Sequence, residues 1–185
     1  MKKATIFLFL AGILFSCNNS GNKTDKSTGT DKLQNTNTTT ASDNANTPAS
    51  QVLNGIELEP RGGLKVQRAF LSFESGDLLP DNNQVLYGQQ VKLNLNLDGW
   101  EATDGKVMLG ASEKITAADG TVLLDNADMF ADNTSGLSEQ DAHFITFSAT
   151  VEKTATPSPY YLVSFNVWNK KGSGAVKGSY KLYMQ

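Results

Sequence analysis

Cysteine and histidine are almost missing from this sequence: Cys17 and His143 are the sole examples among 185 residues. One histidine without a free thiol cannot fill a tetrahedral zinc site. No G-x-S-x-G elbow accompanies His143, so no serine nucleophile can be paired with a base, and general acid–base chemistry needs such groups within reach of one another. His143 precedes Phe144 at the start of an expected strand, where a structural or solvent-facing role fits it. Two glycines between Gly105 and Ser112 have near phosphate-loop spacing, but the lysine that would reach a phosphate is absent. The expectation is a non-enzymatic protein. Excess positive charge is missing too. Sixteen Lys and Arg face nineteen Asp and Glu, for a formal charge of −3. That balance argues against a nucleic-acid partner and against electrostatic docking on anionic lipid. The longest apolar run, Ala4 to Phe15, falls short of the roughly 20 residues that cross a bilayer.

That short run has a defined context. Met1-Lys2-Lys3 is basic, Ala4 to Phe15 is apolar apart from Thr5, and small Ser16 precedes Cys17. These are the three parts of an export signal. Leu14-Phe15-Ser16-Cys17 resembles the lipobox of bacterial lipoproteins. The resemblance implies that residues 1–16 are a signal peptide, that Cys17 is lipidated, and that the new N-terminus is acylated as well. It makes the membrane a partner through the anchor on Cys17, since several acyl chains hold firmly where one holds marginally. Asn18 follows the cysteine, and the first acid is Asp25. By the same resemblance, the outer membrane is favoured, with its periplasmic leaflet ahead of surface display.

Removal of the signal takes Lys2 and Lys3 with it and moves the formal charge from −3 to −5. It leaves no cysteine for a disulfide, so the fold must rest on its apolar core. Residues 17–54 read as the lipidated cysteine and a polar linker. Between Asn18 and Ser50 the only large apolar residue is Leu33, too little to offset the entropy of ordering. A coil of that length reaches on the order of 30 Å.

Residues 55–185 read as one all-β domain. Val91, Leu93, Leu95 and Leu97 alternate with Lys92, Asn94, Asn96 and Asp98, the period of a half-buried strand. Ile145, Phe147, Ala149 and Val151 form a second set, Tyr161, Val163, Phe165 and Val167 a third, and Val176, Tyr180, Leu182 and Met184 a fourth. Leu64 to Phe73 reads as a weaker strand, and Lys106 to Leu109 and Thr121 to Leu124 as short ones. Asp104-Gly105, Asp119-Gly120 and Asn169 to Gly172 supply turn residues. One helical turn is expected at Ser138 to Ala142, where Ser138 can cap with Asp141 three residues on. About seven short strands predict an antiparallel, immunoglobulin-like β-sandwich; a jelly roll or small barrel reads similarly. The last two strands look like that fold's final hairpin. Tyr161 stands where the fold often places a corner tyrosine, or is simply core.

The remaining candidates are acids and aromatics. Asp125, Asp128 and Asp132 share one expected loop, with Glu139 and Asp141 close behind; they are the candidate ligands of a structural calcium ion, which takes loop carboxylates and carbonyls. No other cofactor is expected. Trp100, Tyr160, Trp168 and Tyr183 fall on loops or on the more polar strand faces. Exposed, they can stack on sugar rings or anchor a protein. Trp100 and Trp168 are the leading candidates for a ligand site, although Trp100, following Asp98-Gly99, can equally cap the core. The sequence points to a membrane-anchored envelope binding or accessory module, its partner another envelope protein or a glycan. The alternative is a carbohydrate-binding module that uses the exposed aromatics.

Overall fold

Alternation dictates the two sheets of this chain, whose residues 51–185 are described by a computed structural model. The signal, Cys17 and the linker up to Ser50 lie outside the described residues. In chain order the strands are β1 Gln51–Val52, β2 Glu57–Arg61, β3 Lys65–Phe73, β4 Gln84–Val85, β5 Gln90–Asp98, β6 Lys106–Val107, β7 Leu109–Ala117, β8 Val122–Asn126, β9 Leu137–Ser138, β10 Phe144–Thr150, β11 Tyr161–Asn169 and β12 Ala175–Met184. A single helical turn, α1 at Glu139–Ala142, precedes β10.

One sheet runs β1-β3-β5-β10 and the other β2-β12-β11-β7-β8, with β4 also paired to β12. In the first, β5 lies between β3 and β10 and is antiparallel to both. In the second, β11 lies antiparallel to both β7 and β12, while β4 runs parallel to the end of β12. Two antiparallel sheets face to face, with β12, β11, β7 and β8 in consecutive positions, form an immunoglobulin-like sandwich. The expected final hairpin is β11–β12, with Tyr161 opposite Leu182 and Trp168 opposite Ala175.

The core forms where the two inner faces meet. Val91, Leu93, Leu95 and Leu97 are buried on β5, and Tyr161, Val163, Phe165 and Val167 on β11. Phe147 of β10 meets Phe165 across the sandwich with ring centroids 6.1 Å apart. Truncating either ring to alanine would remove about 3–5 kcal/mol. Tyr161 combines its two expected roles. Its ring is fully buried and edge-on to Tyr87 at 6.4 Å, and its hydroxyl lies 3.2 Å from Thr154 Oγ1 in the segment that enters β11.

Two features depart from the sequence reading. Lys106 to Leu109 is not one strand: β6 pairs with β9, and Leu109 opens the nine-residue β7, which lies at the heart of the second sheet. The inward side chains of β7 are Leu109, Ala111, Glu113 and Ile115, so a small residue and an acid in the middle conceal its apolar face. The strand expected over Leu64 to Phe73 is present as β3, paired along β5 with a register shift between Val66 and Arg68. Finally, the sandwich takes in Gln51–Asn54, which composition assigns to the linker. β1 pairs in parallel with β3, Leu53 N–H donates to Ala69 O at 2.9 Å, and Asn54 is buried.

The helical turn follows its cap. Ser138 Oγ accepts from Asp141 N–H at 3.1 Å and donates to Asp141 Oδ2 at 2.6 Å. This satisfies a backbone donor that a helix start otherwise leaves bare.

Candidate functional site

Strand β12 is covered in two pieces on the side away from β11. β2 pairs with Ala175–Ser179 and β4 with Tyr183–Met184, leaving Tyr180–Leu182 between them. Two asparagines close this gap. Asn83 Nδ2 donates to the carbonyls of Asn54 at 2.8 Å and Lys181 at 3.0 Å. Asn54 Oδ1 accepts from Leu71 N–H at 2.9 Å, and its Nδ2 donates to Leu79 O at 3.0 Å. Both residues have left-handed backbones, φ 57° and 52°, a conformation asparagine tolerates better than most side chains. The pair does with side-chain amides what a continuous strand would do with its backbone.

A groove of about 290 Å³ opens at this point, lined among others by Glu57, Asp81, Asn83, Leu162, Lys181 and Tyr183. Leu162, Lys181 and Tyr183 are on the outer face because their neighbours Tyr161, Tyr180 and Leu182 fill the core. Tyr160, entering β11 with the same parity, lies 6.4 Å from Tyr183 at 60° between ring planes. Lys181 Nζ stands 4.6 Å from the centroid of the Tyr160 ring, within cation–π range. Tyr183 keeps 39% of its surface exposed. Aromatic rings, a cation, two carboxylates and an amide therefore converge on one open face. A wider groove of about 540 Å³ lies between the β7–β8 turn and the segment leading into β11. Its lining is small residues, two prolines and Leu123, and the carboxylate of its one acid, Asp119, already accepts from Thr121 N–H at 2.9 Å.

The two tryptophans occupy other places. Trp100 is 5% exposed, and its indole N–H donates to Ala142 O at 2.7 Å. It is a core wedge that seats α1, not the exposed platform considered above. Gly99, with φ 88°, turns the chain so that the ring is carried inward. A Cβ at Gly99 would lie 2.6 Å from Gly63 O, so the turn depends on glycine. Trp168 is half-buried with its ring against β7, where a Cβ on Gly110 would lie 2.2 Å from the indole. It stands eight residues along the strand from Tyr160, about 26 Å in extended chain, and does not join that cluster.

The three aspartates do not gather into a ligand set. Asp125 on β8 pairs with Lys114 at 3.3 Å. Asp128 Oδ1 accepts from Ala111 N–H at 3.1 Å and Phe130 N–H at 2.9 Å, while Oδ2 lies 2.7 Å from Lys170 Nζ. Desolvation pushes the Asp128 carboxyl upward. The Lys170 hydrogen bond, the two backbone amides and the lysine charge outweigh it and hold the group below its usual range. Asp132 is exposed. Among the described residues, no three His, Cys, Asp or Glu side chains lie together so as to hold a metal ion. His143 caps the end of α1, and its Nδ1 lies 2.6 Å from Leu97 O, which fixes the proton on that nitrogen.

Sequence reasoning passed over one titratable group altogether. Glu113 is 4% exposed on the inner face of β7, and burial pushes its carboxyl up to about 7. The Tyr180 hydroxyl is also buried, with no hydrogen-bond partner among the described residues. Burial first, and the Glu113 charge second, push it well above its ordinary value.

No protein-family model matches the chain, and no curated protein matches it either. Among solved structures it is similar to the C-terminal domain of wzt, at 14% identity and a TM-score of 0.46, over 71% of this chain and 78% of that one. It is also similar to a Niemann-Pick type C2 protein from Japanese carpenter ant, at 14% identity and a TM-score of 0.38, over 68% of this chain and 97% of that one.

Proposed function

We propose that the chain is a lipid-anchored, non-enzymatic binding module of the bacterial cell envelope. It hangs from Cys17 and presents the groove beside β12 to its ligand. The lipobox-like Leu14-Phe15-Ser16-Cys17 supports the anchor and, with Asn18 after it, the outer membrane. The observation that carries the binding role is the Tyr160–Tyr183–Lys181 cluster on an open sheet face, next to a polar groove. Exposed aromatics with a polar handle are the side chains that anchor partners. By contrast, the side chains that could be taken for chemistry are engaged in holding the fold: His143 on Leu97, and Asp128 on Lys170 and two amides.

A glycan is a specific second reading of the ligand. The exposed Tyr183 ring offers a face for a sugar to stack on, and Glu57 and Asp81 offer acceptors for its hydroxyls. The site would then lie at Tyr160 and Tyr183 rather than at Trp100 or Trp168.

Cells fed a labelled fatty acid should label the wild-type protein and not Cys17→Ser; label retained by that variant would refute the anchor. For the ligand, the full mature chain would be applied to a glycan array beside Tyr183→Ala and Tyr160→Ala. Binding that falls at least tenfold in either variant, with unchanged melting, supports the groove. Binding unaffected by both variants places the ligand elsewhere. Failure of the wild type to bind any glycan removes the sugar reading, leaving protein ligands to be tested with the same variants.

A further inference from the structure

Strand β10 ends its sheet. Among the described residues it pairs with β5 alone, residue for residue from Phe144↔Asn96 to Thr150↔Gln90. The ladder fixes which backbone groups point outward. Leu97 N–H donates to His143 O at 2.8 Å, so His143, Ile145, Phe147 and Ala149 turn their backbone groups toward β5, and those of Phe144, Thr146, Ser148 and Thr150 turn away. No backbone partner meets these four among the described residues. Sheet edges of this kind are normally blunted by lysine, proline, a bulge or an inward charge. β10 has none of these: Phe-Ile-Thr-Phe-Ser-Ala-Thr is uncharged, unbroken in register and free of proline, and Phe144 is 68% exposed. The other edges are handled differently. β2, beyond β12, carries Glu57, Glu59, Pro60 and Arg61, β1 is two residues long, and β8 is five residues long with Asp125 on it.

We propose that a second copy of this chain pairs with β10, antiparallel, to form one sheet across two molecules. Self-pairing about Phe147 satisfies the parity of the outward groups. Phe144 falls opposite Thr150 of the second copy, and Thr146 opposite Ser148, so that outward donors meet outward acceptors. The strand's own neutrality favours this occupant: no charge confronts a like charge along the seven paired residues, and threonine and serine pair well across strands. The product is an isologous two-fold contact that closes on itself. A seam one strand wide is smaller than a standard stable interface, so the association in solution is weak. On a membrane, anchored copies meet at raised effective concentration. The two grooves lie on the other sheet of each sandwich and stay open, making the pair bivalent.

The test uses the full mature chain carrying Cys17→Ser, followed by sedimentation over a range of concentrations. A concentration-dependent dimer is expected. Ser148→Pro removes an N–H that points away from β5, so it should raise the dimer dissociation constant at least tenfold while the monomer still melts normally. If that variant misfolds, Thr146→Lys, exposed on the same edge, serves the same purpose. Thr146→Cys with Ser148→Cys should cross-link between copies on oxidation. A chain that stays monomeric at every concentration and gives no cross-link overturns the proposal. So does a dimer that survives both edge variants. Ser148 and Thr146 amides that resist hydrogen exchange in the monomer also overturn it, by showing the edge covered within one copy.

Discussion

Beyond β11, strand β12 is met by β2 and β4, and Asn83 bonds the Lys181 carbonyl between them. Beyond β5, strand β10 has no such cover among the described residues. On β12 the gap is closed by two left-handed asparagines brought from 29 residues apart, the separation of Asn54 and Asn83, and the price is a pair of strained backbones. On β10 nothing comparable is found among the described residues, although the strand is long and uncharged. Among the described residues, the plain edge of β10 contrasts with β2, where Glu57, Glu59, Pro60 and Arg61 interrupt the outer edge of the other sheet.

Prolines should separate the two situations most sharply. Ser164→Pro falls in β11, which is paired on both sides, with Lys114 and Ser179. It should cost about 3 kcal/mol or more and leave little folded protein by circular dichroism, whereas Ser148→Pro on β10 should melt close to wild type. Equal losses would mean that β10 is not an edge. Next in size is Asn54→Ala. It unpairs the buried Leu71 N–H and Leu79 C=O and places alanine at φ 57°. We expect a loss on the order of 3 kcal/mol, or about 10 °C in melting temperature. A drop under about 2 °C would show that the asparagine closure contributes little.

Glu113 probes the sheet between these edges. Burial raises its carboxyl to about 7 in the fold, from an ordinary 4.5, so the folded chain holds the proton more tightly. The stability from this group is fully present below the unfolded value and is lost as pH rises through 7. The span is on the order of 3 kcal/mol. Glu113→Gln should therefore melt higher than wild type at pH 8, and the pH dependence between about 4.5 and 7 should flatten. A variant that melts lower at pH 8 would show the charged form to be stabilised. The smallest effect concerns Asp128, whose oxygens are already engaged by Lys170 and two amides. Melting with calcium and with chelator should differ by less than about 1 °C, and a larger rise with calcium would reinstate a metal site.

Regular apolar alternation made β5, β10, β11 and β12 legible, and Ser138 with Asp141 made α1 legible, because each signal is local. Strand β7 was illegible because Ala111 and Glu113 occupy positions where alternation looks for large apolar side chains. The Asn54–Asn83 closure gave no local sign, since each residue serves partners far away in sequence. Among the aromatics, strand parity correctly put Tyr160 and Tyr183 on the outer side, but nothing local showed that they meet. For Trp100 the sequence left a ligand platform and a core cap both open, because a residue after Asp-Gly reads as loop; the left-handed turn at Gly99 carries the ring into the core.

The burial of Trp100 has an optical consequence. The chain has two tryptophans, one enclosed and bonded to the carbonyl that ends α1, the other half-open on the outer face. Their emission should differ in wavelength and in access to a dissolved quencher. With Trp168 replaced by phenylalanine, the remaining fluorescence becomes a built-in gauge of whether the α1 turn is seated, readable without any added label.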